Sequence, residues 1–397
     1  MTRRISFLMA MAFAISANAS PAPTAATGSL TPSQTLTITG SSFGTQGPNI
    51  VLMEDFERDT AGQKVQLAKA PVGAWTGYNS SNTFLASPSA HTGAVGFHAY
   101  DYAHQGANIL NLALPSQYQE AFISFWVTVP AGKTFPGEWG PTGKAPPPVA
   151  GQFSGDSSWK FGWLFQAGGS VSSTTQFDLR TLDYGGSNQF MPAESNAGYA
   201  MFIQPGNYYQ NSNNVGTGWW SWTGWNRIST WVRGNSTVPA GAIGGMMQTL
   251  SAQNGMASWS FGNPVTYPTS AMFQKGVSQY FSQINIPGWV RENSGANADP
   301  TYDDIYIAVG PGSAARVEIT DAPTYVASKH ATLLRPTAWA AGQIVATVPA
   351  AGFDFTGPAY LYVTDSTGAT NVAGVALGNV GGGTVTPPPC VCPQVAK

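Results

Sequence analysis

The sequence predicts an all-β protein in which one small sandwich is interrupted by a larger one, and three observations predict it. Only 9% of residues are charged, too few to clothe the solvent faces of helices built on Glu, Lys and Arg. Gly (46), Pro (29) and aromatic residues (12%) are plentiful, which is the composition of short strands joined by tight turns. Two stretches then carry strand patterns back to back. Residues 301–319, TYDDIYIAVGPGSAARVEI, read as two alternating strands split by Gly310-Pro311-Gly312. Residues 36–44, LTITGSSFG, run through Gly47-Pro48 into a second alternating run, 50–57. Each stretch joins the edge of one domain to the edge of another, so the large domain is expected to sit inside a cut in the small one.

A chain of 397 residues has room for two or three domains and an ample core. The net charge of −2 and pI near 6.1 leave no electrostatic footprint for nucleic acid or anionic lipid. A large ligand would then be a neutral or weakly charged polymer. At the N-terminus Arg3-Arg4 precedes an apolar run, 5–15, and Ala17-Asn18-Ala19. That is the pattern of a secretory leader, 1–19, and implies a secreted or cell-surface protein with Ser20 as its first mature residue. No later window supplies the ~18 apolar residues of a membrane span. Cys390 and Cys392 are the only cysteines, so no disulfide framework is expected. They lie in a Gly/Pro-rich tail, 379–397, and a covalent link to a partner through Cys390 or Cys392 is the alternative to a plain flexible end.

Taken in order, 20–27 is a Pro/Ala/Thr linker. In 34–39, Leu36 and Ile38 point one way and threonines the other. LTITGSSFG resembles the opening of an IPT/TIG domain, a small immunoglobulin-like sandwich. Arg316-Val317-Glu318-Ile319, the run 344–349 and the run 357–368 are similar to the later strands of that family. The resemblance implies a first part at 28–48 and a second at 310–378. The intervening 49–309 offers candidate strands at 121–129, 159–166, 176–182, 199–204, 225–233, 279–286 and 302–308. Its opening MEDFE, its closing YDDIYIA and the run WNRISTWVRGN between them resemble the concanavalin A-like jelly roll of laminin-G-type and glucanase-type domains. That fold sets first and last strands side by side, which suits an insert whose ends must meet.

Alternation sorts each strand into two faces. In 121–129, Ile123, Phe125, Val127 and Val129 oppose Phe122, Ser124, Trp126 and Thr128. In 225–233, Ile228, Thr230 and Val232 oppose Trp225, Arg227, Ser229, Trp231 and Arg233. In 176–182, Phe177 and Leu179 oppose Gln176, Asp178 and Arg180, and in 279–286 Gln283 and Asn285 oppose Ile284 and Ile286. The non-aliphatic faces carry Trp, Arg, Asp, Gln and Asn, the residue types that stack on sugar rings and bond hydroxyls in pairs. A groove for an extracellular polysaccharide is therefore expected, using Trp126, Asp178, Arg180, Arg227 and Trp231. Trp219, Trp220 and Trp222, from the Gly-rich run 216–225, stand at its mouth. The alternative is a second layer that covers the face and turns Trp126 and Trp231 into core.

Glu54, Asp55 and Glu57 fall beside Asp303 and Asp304 if first and last strands pair. The jelly-roll resemblance implies structural calcium there, with Asp55, Glu57 and Asp303 as ligands; the alternative is that these acids flank a strand and pair with arginines. His91, His98 and His104 lie in 90–105, which reads as a solvated loop. No G-x-S-x-G, H-E-x-x-H or P-loop is present, and Glu54-Asp55-Phe56-Glu57 lacks the glucanase E-x-D-x-x-E spacing. The run 202–210, FIQPGNYYQ, is similar to the second half of the Y-F-K-A-G-x-Y-x-Q strand of jelly-roll alginate lyases. That likeness implies Tyr208 as proton donor or base, Gln210 as a substrate contact and Arg180 or Arg227 as the partner of a uronate carboxylate. The family's R-[ST]-E-L-R and Q-[IV]-H strands are missing. Three functions follow: non-catalytic binding of a polysaccharide, which is the main expectation, a polysaccharide lyase, and a structural surface or appendage protein.

Overall fold

The computed structural model describes residues 19–78, 85–87, 89–98, 110–128, 135–136, 153–154, 159–166, 176–180, 200–204, 210–211, 221, 224–235, 242–261, 272–273, 280–287, 289–290, 300–380 and 384–385. Among them there is no α-helix; the chain is built of strands, with one 3-10 turn at Tyr325–Ala327. Pairing is antiparallel except between the short strands Phe135–Pro136 and Phe153–Ser154.

Four sheets make two sandwiches. In the large one, a sheet runs from Gln210–Asn211 through Ala200–Gln204, Gln176–Arg180, Trp159–Gln166, Phe281–Ile286 and Leu110–Tyr118 to Gly77–Tyr78. The facing sheet runs from Gly255–Phe261 through Ala242–Ser251, Asn226–Asn235, Glu120–Thr128, Thr301–Val309 and Gly96–His98 to Leu85–Ser87, and Asn49–Glu54 pairs with Thr301–Val309. Between them lies one apolar core that includes Leu112, Ile123, Phe125, Leu164, Ile228 and Ile284. Each comes from the aliphatic side of its strand, as period-two alternation requires.

The small sandwich sets Arg335–Ala340, Gln343–Thr347, Thr35–Ser41, Ala22–Ser29 and Thr384–Val385 against Ala331–Leu333, Arg316–Thr320, Gly357–Thr364 and Val375–Val380. Leu36, Ile38, Val317, Ile319, Leu361 and Val363 fill its core. The segment 20–27, expected to be a linker, lies mostly in strand Ala22–Ser29, which pairs along Thr35–Ser41. Its small residues do not mark it as a strand. Pairing with the Thr/Leu/Ile strand beside it makes it one, because an exposed edge there would leave backbone groups unpaired.

The chain leaves the small sandwich after Ser41, enters the large one at Asn49, and returns between Val309 and Arg316. The two crossings touch. Asn49 pairs with Val309 and Glu54 with Ile305, and Gly312 (φ 87°) approaches so closely that a Cβ would stand 2.6 Å from the Gly47 carbonyl oxygen. A side chain at Gly312 is excluded both by space and by the left-handed backbone.

Candidate functional site

The residues proposed as one groove belong to two different sheets. Trp126, Arg227 and Trp231 stand on the outer face of the sheet that holds Glu120–Thr128 and Asn226–Asn235, where Arg227 pairs with Trp126 and Trp231 with Phe122. That face is closed by the small sandwich: Trp126 is 4%, Arg227 1% and Trp231 8% exposed. Trp231 packs with Phe122, Tyr306, Ala308 and Ala314, and Trp126 with Leu250 and Ala331. These three residues hold two domains together and do not form an open groove. The reason is topological: with all of 121–127 buried, both faces of this strand are covered, and its polar-aromatic side is an interdomain surface.

The interdomain surface is also charged. Arg227 donates from Nη1 to Glu318 Oε1 (2.7 Å) and from Nη2 to Gln248 Oε1 (2.9 Å), and Arg316 donates from Nε to Glu318 Oε2 (2.9 Å). The Tyr325 hydroxyl also bonds Glu318. Burial works against the Glu318 carboxylate, but Arg227 and then Arg316 overcome it and hold its pKa near 2. A buried charge network of this kind is stable only when every member is paired.

A second interdomain cluster centres on His91. Its Nδ1 lies 2.7 Å from Asp304 Oδ2 and its Nε2 3.1 Å from Asp354 Oδ2. Both ring nitrogens face carboxylates, so both must donate, which only the imidazolium can do. The ring stacks on Trp126 at 3.7 Å between centroids. Burial opposes the charge, yet the bonds to Asp304 and Asp354 outweigh it and raise the His91 pKa above its ordinary 6.5. His330 joins from the small sandwich, Nδ1 to Asp354 Oδ2 at 2.6 Å. Local sequence gives no sign of this arrangement, since Asp304 and Asp354 lie 213 and 263 residues from His91. The stretch 90–105, expected to be a solvated loop, therefore begins with a buried ion.

The calcium ligands proposed at Asp55, Glu57 and Asp303 are engaged otherwise. Asp303 Oδ2 accepts from the His91 and Thr92 amides and its Oδ1 from the Asp304 amide. Glu57 Oε1 accepts from the Ala94 and Val95 amides, and Asp55 Oδ1 from the Glu57 amide. Burial, with Asp304 adding to it, pushes the Asp303 pKa well above 3.8. Among the described residues no three His, Cys, Asp or Glu side chains converge on a point that would hold a metal ion. These carboxylates close loops and do not fit a calcium shell, which needs six to eight oxygens around one point.

Asp178 and Arg180 lie on the other sheet. Its register aligns a row across six strands: Asn111 opposite Asn285, Asn285 opposite Trp163, Trp163 opposite Asp178, Asp178 opposite Phe202, and Phe202 opposite Asn211. A neighbouring row holds Gln283, Phe165, Gln176 and Gln204. Arg180 aligns with Lys160 and Ala200, and Gln210 with Ile203. Leu112, Leu164 and Ile284, one residue along the respective strands, are in the core, so the row belongs to the opposite face. Asn285 is 1% exposed; its Oδ1 accepts from Gln283 Nε2 at 2.7 Å, while its Nδ2 and the Oδ1 of Asn111 have no partner. Buried amide groups left like this have hydrogen-bonding capacity to spare. Trp163 and Phe202 were not singled out from sequence, although the alternation of WKFGWLFQ about Leu164 carried the signal for the first. Trp219, Trp220, Trp222 and Tyr208 lie outside the described residues.

No family model matches the chain, and no curated protein matches it. Among solved structures it is similar to a mutant alginate lyase in complex with an alginate trisaccharide, at a TM-score of 0.39 and 12% identity, covering 66% of this chain and 98% of that one. It is similar also to the CBM2 module of the evolved Dit of Lactobacillus casei BL23 phage J-1, at a TM-score of 0.34 and 9% identity, covering 67% and 97%. Likenesses this slight transfer no residue role.

Proposed function

We propose that this is an exported, non-catalytic polysaccharide-binding protein whose glycan lies across the outer face of the sheet bearing Asp178. The observation that carries this reading is the cross-strand row Asn111, Asn285, Trp163, Asp178, Phe202 and Asn211. Strands about 4.8 Å apart make such a row about 24 Å long, enough for several sugar rings end to end. Planar amides and a carboxylate suit paired hydroxyls, and aromatic rings suit the apolar faces of sugars. The unpartnered amide groups of Asn285 and Asn111 are what a sugar hydroxyl would satisfy. The leader-like N-terminus supports export.

The test is a glycan array followed by titration of the best hit against the wild type, Trp163→Ala, Asp178→Asn and Trp231→Ala. Trp163→Ala and Asp178→Asn should each weaken binding about tenfold or more, as loss of a stacking or charged hydrogen-bonding contact does. Trp231→Ala should lower stability and leave affinity in the folded fraction intact. Unchanged affinity in the first two variants would sink the assignment. Release of unsaturated uronates, followed by absorbance, would turn the same face into that of a lyase.

A further inference from the structure

Where the two sandwiches meet, a cavity of about 180 Å³ opens between them. One wall comes from the large sandwich, with Met53, Trp126 and Tyr306, and the other from the small one, with Thr332, Leu333 and Val348. Arg58, from the large sandwich, and Arg335, from the small one, are exposed residues that line it.

The polar groups of the wall divide into two sets. The acids are already engaged: Glu54 accepts from the Phe56 amide and from Trp75 Nε1, Asp55 from the Glu57 amide, and Asp304 from His91 and Thr92. Burial also lifts the Glu54 pKa to about 8, which keeps this carboxyl neutral at pH 7. The second set is unengaged. The Tyr306 hydroxyl, Thr332 Oγ1 and Arg227 Nε are buried and have no hydrogen-bond partner. Ion pairs among the described residues involve His91, Arg227, Arg316 and His330. Arg58 and Arg335 belong to none of these, although Arg58 lies near enough to Asp55 to favour its charged form.

We propose that this interdomain cavity binds a small hydroxylated carboxylate, of the size of one sugar acid, with its carboxylate between Arg58 and Arg335 and its hydroxyls toward Tyr306 and Thr332. Guanidinium groups lining a cavity select a carboxylate. Unpartnered buried hydroxyls favour a ligand that supplies polar atoms over one that does not. The apolar remainder of the wall takes the carbon face of the ring. A cavity of about 180 Å³ admits a single unit, so this site is separate from the sheet face proposed for the polymer and does not depend on it.

The test is calorimetric titration of the whole chain with D-glucuronate, D-glucose and inorganic phosphate. Glucuronate should bind, glucose should bind at least about tenfold more weakly for want of the charge, and phosphate should fail for want of the ring. Arg335→Gln, on the exposed strand Arg335–Ala340, should weaken glucuronate about tenfold with an unchanged melting temperature, and Thr332→Val should weaken it severalfold. Trp163→Ala, on the distant sheet face, should have no effect. No heat with glucuronate, equal affinity for glucose, or binding indifferent to Arg335→Gln and Thr332→Val would each overturn the proposal.

Discussion

Replacing His91 by glutamine removes the cation that bonds both Asp304 and Asp354, and the consequence can be worked out from the geometry. The imidazolium donates to both carboxylates, at 2.7 and 3.1 Å, in a site where its side chain is 4% exposed. Glutamine keeps some volume and one donor group but no charge, which leaves the partly exposed Asp304 without its cation and the buried Asp354 with His330 alone. Breaking a buried ion pair from one side costs about 3–5 kcal/mol; a residual amide bond places the expected loss near 3. The pH dependence is the sharper test. The folded pKa of His91 is raised above 6.5, so its contribution is complete below 6.5 and disappears as pH rises through the raised value. Asp354 is held well below its ordinary 3.8 by His330 and His91 against the effect of burial. Its contribution is complete above 3.8 and is lost as pH falls toward the folded value. The cluster therefore stabilises most between those limits. Asp303 and Asp304 on the large sandwich, and Asp321, Asp354 and His330 on the small one, set its surroundings. Glu54 loses stability in the same direction as pH rises through about 8, but it does so in both proteins. The measurement is urea unfolding of wild type and His91→Gln at about pH 5.5 and about pH 9. The gap between them should be near 3 kcal/mol at the lower pH and shrink at the higher. A gap under ~1 kcal/mol at the lower pH, or one that does not change with pH, would refute the reasoning.

Arg227→Met should lower stability by about 3–5 kcal/mol, because Glu318 loses one of its two cations and keeps only Arg316 and the Tyr325 hydroxyl, while Gln248 Oε1 loses its guanidinium donor. Replacing Arg227, Arg316 and Glu318 together by apolar residues should be far milder than that single change, as chemical denaturation of both variants would show. Gly312→Ala should cost more than ~1 kcal/mol, since the residue has φ 87° and its Cβ would stand 2.6 Å from the Gly47 oxygen; thermal unfolding measures it, and an unchanged melting temperature would contradict the close crossing. Leu36→Ala, in the small-sandwich core, should cost about 2–5 kcal/mol. If it unfolds the small sandwich first, the environments of Trp126 and Trp231 should change in the same transition, read by tryptophan fluorescence.

Much of the fold was legible because alternation is a local property. The sequence pattern placed Ile123, Phe125 and Val127 on one side of their strand and Leu36 and Ile38 on one side of theirs, and all five are core. The Gly-Pro-Gly turn after Val309 marked where one sandwich ends and the other resumes. The strand at Ala22–Ser29 was missed because its residues carry little β-propensity, and its conformation comes from the neighbour it pairs with.

The site was much less legible. Period-two patterning says which residues share a face of one strand but not which sheet that strand joins. Trp126 and Asp178 therefore looked like parts of one groove, although they stand on opposite sheets of the large sandwich. Nor does local pattern reveal what covers a face: the aromatic and cationic side at Trp126, Arg227 and Trp231 reads the same whether it meets sugar or, as here, the small sandwich. By itself the chain determined its strands, their inner faces and the points where the two sandwiches join. Tertiary structure alone decided which outer face is closed, that His91 finds carboxylates more than 200 residues away, and that a row of amide and aromatic residues lines up across six strands. Those facts depend on pairing between distant segments, and pairing is fixed by how whole sheets bury their surfaces.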